Sequence, residues 1–119
     1  MSPLPLDNAD LPLFTVGQVA SMLEIQQAFL RRLDEHQVVR PSRSGGGQRR
    51  YTRNEITVVQ YVVQLVDEGM TLNAIRRVLL LEARVRELEA ERDALRAAFA
   101  EQGARLAALR ADRRADRRE

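Results

Sequence analysis

The sequence predicts a mainly α chain: a winged helix-turn-helix head with a small two-stranded wing, followed by a long C-terminal coiled-coil helix. Three observations carry this. Two short segments with apolar residues at helical spacing lie a few residues apart near the N-terminus, the first opened by a capping box. An arginine-rich stretch is interrupted by three consecutive glycines, Gly45 to Gly47. From Leu81 onward, apolar residues recur alternately four and three apart.

Residues 1–13 carry Pro3, Pro5 and Pro12 among small and acidic residues and read as a flexible arm. Residues 14–80 form the predicted head. Thr15 and Gln18 make the first capping box, and Val16, Val19, Ala20 and Leu23 give a short helix ending near Leu23. A second helix runs from Gln26 or Gln27 to His36, with Phe29, Leu30 and Leu33 on its apolar side. Pro41 then blocks helix, the glycines permit a tight turn, and Gln48 to Tyr51 form the returning strand of the wing. Thr52 and Glu55 make a second capping box. The helix that follows holds Ile56, Val59, Val62, Val63 and Val66 and stops near Glu68, with Gly69 just past its end. Thr71 caps a further helix that includes Ile75, Val78 and Leu79.

The heptad segment spans 81–109. Its seam is Leu81, Val85, Leu88, Arg92, Leu95, Phe99, Gln102, Leu106 and Leu109, apolar at seven of nine positions. Gly103 marks a bend or a frayed point. About 25 residues of seam exceed what so small a head could bury, so a second copy is the expected cover. Leu81, Val85, Leu88, Leu95, Phe99 and Leu106 are the predicted dimerisation residues. Residues 110–119 alternate Arg and Asp without an apolar stripe and read as a charged tail, disordered or frayed.

Composition excludes several classes. The chain has 119 residues, no cysteine and one histidine, so disulfides, thiolate metal sites and histidine clusters are out. No apolar run approaches the roughly 20 residues of a membrane span, and no basic-then-apolar leader opens the chain. A cytoplasmic, nucleoid-associated protein without cofactor or metal is expected. No nucleophile–base set appears, and the glycines lack the Lys and Ser/Thr of a phosphate loop, so enzyme activity is not expected.

The formal net charge is only +2, but it is unevenly spread: all 19 basic residues are arginine. Between Arg31 and Arg53 seven arginines face only Asp34 and Glu35. A basic patch on a nearly neutral chain is the footprint of nucleic-acid binding. A recognition helix presents its N-terminal residues to base edges, where Gln suits adenine and Arg suits guanine. Gln26, Gln27 and Arg31 are the candidates, with Arg32 beside them. Arg43, Arg49 and Arg50 on the wing would reach phosphates or the minor groove. Strand alternation sets Arg49 and Arg50 on opposite faces, and Arg49 is the one assigned to DNA, with Arg50 packing or pairing within the head. Tyr51 is a phosphate donor or a half-buried packing residue. Arg76, with Arg77 beside it, adds backbone contacts, and Thr15 completes the set.

The segments FTVGQVASML, LRRLDEHQVVRPSRSGGGQRRYTRNEI and LVDEGMTLNAIRRVLLLE, in this order and spacing, resemble the MerR family of bacterial transcription regulators. The resemblance covers Phe14 to about Ala98. The glycine wing and the direct run from NAIRRVLLLE into heptads are most similar to the heat-shock repressor (HspR-type) branch. That resemblance implies a sequence-specific repressor that binds an inverted repeat of double-stranded DNA as an antiparallel homodimer. It also implies control of chaperone genes with an Hsp70-type chaperone as co-repressor. The chain departs from the family at several points. Arg31-Arg32-Leu33-Asp34 stands where the family usually has Arg, two aromatics and Glu, so Arg32 replaces an aromatic backbone contact. Gln37-Val38-Val39 stands for Gly-Leu-Leu, and Gln48 for a wing aromatic. The residues alone leave two other readings open: an architectural or excisionase-like DNA-binding protein, and a coiled-coil protein-interaction adaptor.

Overall fold

A computed structural model describes residues 8–43 and 46–118. In chain order its elements are β1 (Phe14–Thr15), α1 (Val16–Leu23), α2 (Gln27–Glu35), β2 (Ser42–Arg43), β3 (Arg49–Tyr51), α3 (Arg53–Asp67) and α4 (Leu72–Arg118). The chain divides into a head that ends at Leu79 and a second unit that begins at Leu80.

Both capping boxes form. Thr15 Oγ1 accepts from the Gln18 backbone N–H, and the Gln18 side chain accepts from the Thr15 N–H. Thr52 and Glu55 repeat the arrangement at the start of α3. Glu55 also accepts from the Ser42 hydroxyl at 3.3 Å, which ties the cap to the wing strand β2. Thr71 caps α4 by accepting from the Ala74 N–H. Such caps satisfy backbone donors that the first turn of a helix leaves free.

The three short helices α1, α2 and α3 end in the same way. Just beyond each, one residue adopts a left-handed backbone (Glu24 directly after α1, Gln37 and Gly69 two residues past α2 and α3), and the residue after it donates back across the last turn: Ile25 to Ala20, Val38 to Leu33, and Met70 to Leu65. This is the Schellman termination, in which an apolar residue beyond the end folds onto the last turn. Gly69 adopts φ +94° without cost, but Glu24 (φ 55°) and Gln37 (φ 58°) carry a Cβ in a region that disfavours one.

The wing differs from the two-stranded expectation. β3 is the middle strand of three, in the order β1-β3-β2, with Phe14 opposite Tyr51 and Ser42 opposite Arg50. The third strand is the dipeptide Phe14–Thr15, whose second residue is itself the α1 cap, too short to show as a period in the sequence. Of the glycine tip, Gly45 lies outside the described residues and Gly47 supplies the turn at φ +80°.

One core unites the head. Val19, Leu30, Leu33, Tyr51, Val59, Val62 and Ile75 are its most deeply buried side chains. They come from α1, α2, β3, α3 and the first turn of α4, so each element of the head except the edge strands contributes to a single apolar centre.

Three further expectations change. Of the arm, residues 1–7 lie outside the described residues, while Asn8 to Asp10 form a turn tied to α3: Asn54 donates its backbone N–H to the Ala9 carbonyl and its side-chain amide to Asp10. The head's last helix and the heptad segment are one helix of 47 residues, which passes through Gly103. The charged tail is helical through Arg118, since Ala and Arg are both strong helix formers. No helix among the described residues is long and apolar enough to cross a membrane.

Gln37 is the testable strain point. Gln37→Gly is expected to raise unfolding free energy by about 0.5–1 kcal/mol, because it removes the Cβ penalty at a left-handed position. Urea denaturation of the two proteins checks this, and a less stable variant would show that the strain is absorbed elsewhere.

Candidate nucleic-acid interface

The amphipathicity of α2 decides which side chains face outward. Leu30 and Leu33 are buried, which turns Gln27, Arg31, Arg32 and Glu35 to solvent. Gln26, the N-cap, is exposed and makes no side-chain cap of its own, so its amide is not consumed in holding the helix. Gln27, Arg31 and Asp34, at i, i+4 and i+7, share one face. At the start of that face Gln27 lies against α1: a Cβ on Gly17 would stand 3.4 Å from Gln27 Nε2. Thr15 is therefore near the start of the face, but its hydroxyl already accepts the N-cap hydrogen bond.

Arg32 does not join this face. One residue step rotates about 100° around the helix. Arg32 instead lines a concave surface with Phe29 and Val66, toward the C-terminal end of α3. The structure thus separates the two adjacent arginines that the sequence groups together.

Asp34 joins α2 to the wing. Its carboxylate accepts from Arg49 Nη1 at 2.7 Å and lies 3.8 Å from Arg40 Nε. The Asp34 side chain is only 19% exposed, whereas Arg49 retains 52%. A guanidinium has five N–H donors, so Arg49 can hold Asp34 and still offer donors outward. Asp34 carries no role in the sequence reading beyond diluting a basic stretch. Its signal is positional: it lies one helical turn beyond Arg31 on the outward face.

Arg43 lies directly opposite Arg49 across the β2–β3 pair and is exposed. Residues opposite each other in an antiparallel pair project from the same face, and like charges there are destabilising. Two arginines in that relation form a surface suited to an anion.

The strand alternation holds, but with a consequence for the arginine assignment. Arg49 shares a face with Tyr51, so the arginine assigned to DNA is itself ion-paired within the head. Arg50, on the other face, is also engaged: it donates to the Leu13 carbonyl and to Gln48 Oε1, both at 3.3 Å. Tyr51 is neither half-buried nor at the surface. It is 1% exposed within the core, opposite Phe14, and is not placed to meet a phosphate. Burial pushes its phenol up to about 12 from an ordinary 10; the carboxylates of Asp34 and Glu55 add to the rise, and Arg49 opposes it. Arg76 is exposed and lies 3.5 Å from the Gln37 side-chain oxygen, with Arg77 exposed beside it. The predicted dimerisation residues Leu81, Val85, Leu88, Leu95, Phe99 and Leu106 all lie on α4 in the second unit. Each is exposed in the single chain, Leu95 by 71% and Phe99 by 78%. Among the described residues no cluster of three His, Asp or Glu could hold a metal ion.

Two short helices joined by a tight link, then a three-stranded wing and a third helix beneath it, define a winged helix-turn-helix. The class can be made more specific by comparison. A family model described as MerR HTH family regulatory protein matches residues 14–82, and the chain belongs to that family. It is 35% identical over 91 residues to a putative heat shock protein HspR of Streptomyces coelicolor, covering 76% of this chain and 60% of that protein. It is 29% identical over 76 residues to the HTH-type transcriptional regulator GlnR of Bacillus anthracis, covering 64% of this chain and 59% of that protein. The chain therefore spans about three fifths of the length of these curated relatives. In structure it resembles a MerR-family transcriptional regulator from Bacillus cereus, with a TM-score of 0.53, 24% identity, and coverage of 81% of this chain and 74% of that one. It resembles to the same TM-score, 0.53, the MerR family regulator HiNmlR, which lacks the sensor domain and was crystallised bound to promoter DNA. There the identity is 23%, with coverage of 81% and 83%. At this identity the two structures establish the fold.

The Tyr51 phenol makes the head sensitive to alkali. The folded state keeps its proton between about pH 10 and 12, where the unfolded chain releases it. Stability is therefore fully present below pH 10 and falls by up to about 1.4 kcal/mol per pH unit between pH 10 and about 12. Urea midpoints on either side of pH 10 should show this fall in the native protein and not in Tyr51→Phe. An equal fall in both would assign it to other groups.

Proposed function

We propose that the protein is a DNA-binding transcription regulator that acts as a homodimer, with the Gln27–Arg31 face of α2 in the major groove and the wing on the flanking backbone. The observation that carries this reading is the continuity of one exposed surface. It runs from Gln27 and Arg31 through Asp34 to Arg49 and its cross-strand neighbour Arg43. Such a surface offers fork-shaped donors to guanine and to phosphates, while Gln27 offers a paired donor and acceptor to adenine. Gln26 and Arg76 extend it at either end. Arg32 and Arg50 serve the backbone or the head itself.

The dimer reading is supported by the exposed seam of α4, since large apolar side chains in a row along one helix are stable only when covered. Arg92 favours the antiparallel direction. Parallel in-register pairing would set Arg92 against its own copy, whereas antiparallel pairing about Leu95 sets it near Phe99, where a guanidinium is attracted to the ring face. A two-fold dimer reads two half-sites and so an inverted repeat. Likeness to the Streptomyces HspR supports the finer reading: a repressor of heat-shock or chaperone genes, with an Hsp70-type chaperone as co-repressor.

Genome-wide capture of bound DNA followed by footprinting tests this. An inverted repeat at a chaperone promoter is the expected result. An inverted repeat elsewhere would reject the heat-shock branch, and diffuse binding would favour an architectural protein. On the recovered site, Arg31→Ala is expected to weaken binding about 10- to 100-fold and to relax preference at one base pair in each half-site. A uniform loss across all sequences would instead make Arg31 a phosphate contact. Leu88→Asp is expected to give monomers by light scattering, with operator binding lost in parallel; a dimeric Leu88→Asp protein would refute the seam.

A further inference from the structure

We infer that the C-terminal segment of α4, residues 110–118, is a second binding site for the phosphate backbone of duplex DNA. The inference rests on the DNA-binding reading above. The segment is helical throughout, which gives its charges fixed directions. At about 100° per residue, Arg110, Arg113, Arg114, Arg117 and Arg118 fall within one arc of about 140°, and Asp112 and Asp116 lie outside it. The side chains of Arg110, Arg113, Arg114 and Arg117 line one shared surface. Five arginines against two aspartates give this segment a net +3, more than the +2 of the whole chain.

Carboxylates of the described residues pair with some arginines of α4 and with none of these five. Of the seven upstream, Arg84, Arg92 and Arg105 are each within 3.0 Å of a carboxylate on the same helix. Among the described residues, no carboxylate lies within ion-pair distance of any of the five tail arginines. Arg110 with Arg114, Arg113 with Arg117, and Arg114 with Arg118 are like-charge pairs at i, i+4, a spacing that opposes helix formation. The helix dipole favours cations in the last turn, which accounts for Arg117 and Arg118. It does not reach Arg110, Arg113 and Arg114. A polyanion lying along the stripe relieves the repulsion, and guanidinium forks match phosphate oxygens.

The dimer seam supplies the reason that the polyanion is DNA. Antiparallel pairing about Leu95 sets Leu81 against Leu109. It carries each 110–118 segment alongside residues 72–80 of the second copy, where Arg76 and Arg77 are already candidate backbone contacts.

The test is a full-length variant with Arg110, Arg113, Arg114 and Arg117 each changed to Gln, which keeps helix propensity. Binding to a fluorescent duplex of random sequence is followed by anisotropy over a range of salt, and dimer mass by light scattering. Each phosphate contact contributes about 0.9 to the slope of log affinity against log salt. Two contacts per tail and two tails per dimer therefore lower the slope by about 3.6, and affinity falls at least about tenfold near physiological ionic strength. Dimer mass stays unchanged, and the corresponding four-Lys variant restores most of the slope. A Gln variant that matches the native slope and affinity overturns this inference alone and leaves the head as the sole contact. A Gln variant that becomes monomeric also overturns it, since the stripe would then serve chain pairing. Native protein that ignores the duplex even at low salt overturns the DNA-binding reading itself.

Discussion

The head depends on the strand β3, three residues long, whose alternation assigns a separate task to each position. Tyr51 enters the core, Arg49 reaches Asp34 on α2, and Arg50 holds the Leu13 carbonyl on the chain entering β1. The next residue, Thr52, opens the capping box of α3. A side-chain period of two leaves no freedom in this arrangement: a slip of one residue would bury an arginine and expose the tyrosine. The orientation of the wing relative to α2 is thus set by core packing. The Asp34–Arg49 ion pair refines a geometry that Tyr51 burial already imposes, as expected for a half-exposed pair of small net worth.

Much of this is legible in the sequence, for identifiable reasons. Thr15/Gln18 and Thr52/Glu55 announce helix starts because a capping box is local chemistry, complete within four residues. The seam of α4 is legible because a heptad period repeats. The ends of α1 and α2 are legible to within a residue, but the way they close is not. They close on Glu24 and Gln37, left-handed residues without the glycine that marks such a turn at Gly69. The strand β1 is two residues long, and its pairing with β3 is a contact between positions distant in sequence. The roles of Asp34 and Tyr51 are hidden for the same reason. Asp34 reads as a counter-charge until the fold brings Arg49 to it, and Tyr51 reads as a phosphate donor or a half-buried residue until Phe14 and the core close over it.

Two of the locally unfavourable features lie close to the surface formed by α2 and the wing. Gln37 carries a strained backbone beside Arg76, and Arg43 faces Arg49 across a strand pair. Each departs from what stability alone would select, and each lies on or next to the surface formed by α2 and the wing. Where local rules are broken without compensation inside the fold, function is the usual reason. The buried face of the same helix shows no such departure: Leu30 and Leu33 are fully packed, and no buried side-chain polar atom among the described residues lacks a partner.

Net charge sharpens this argument. A formal +2 produces little long-range field, and charges farther apart than about 8–10 Å are screened at physiological salt. Affinity for a polyanion must then come from short-range clusters, and the sequence supplies them by segregation. Asp34 neutralises part of the wing cluster and holds the Arg49 guanidinium to α2, which trades raw attraction for orientation of that one side chain. Along α4 Arg84, Arg92 and Arg105 are matched by carboxylates, and among the described residues the five arginines of the tail are not. A chain with the same composition but evenly mixed charges would have the same net charge and hold the same helices better, yet it would present no surface on which phosphates could displace counterions. The arrangement of the arginines, more than their number, therefore makes this nearly neutral chain suited to a nucleic acid.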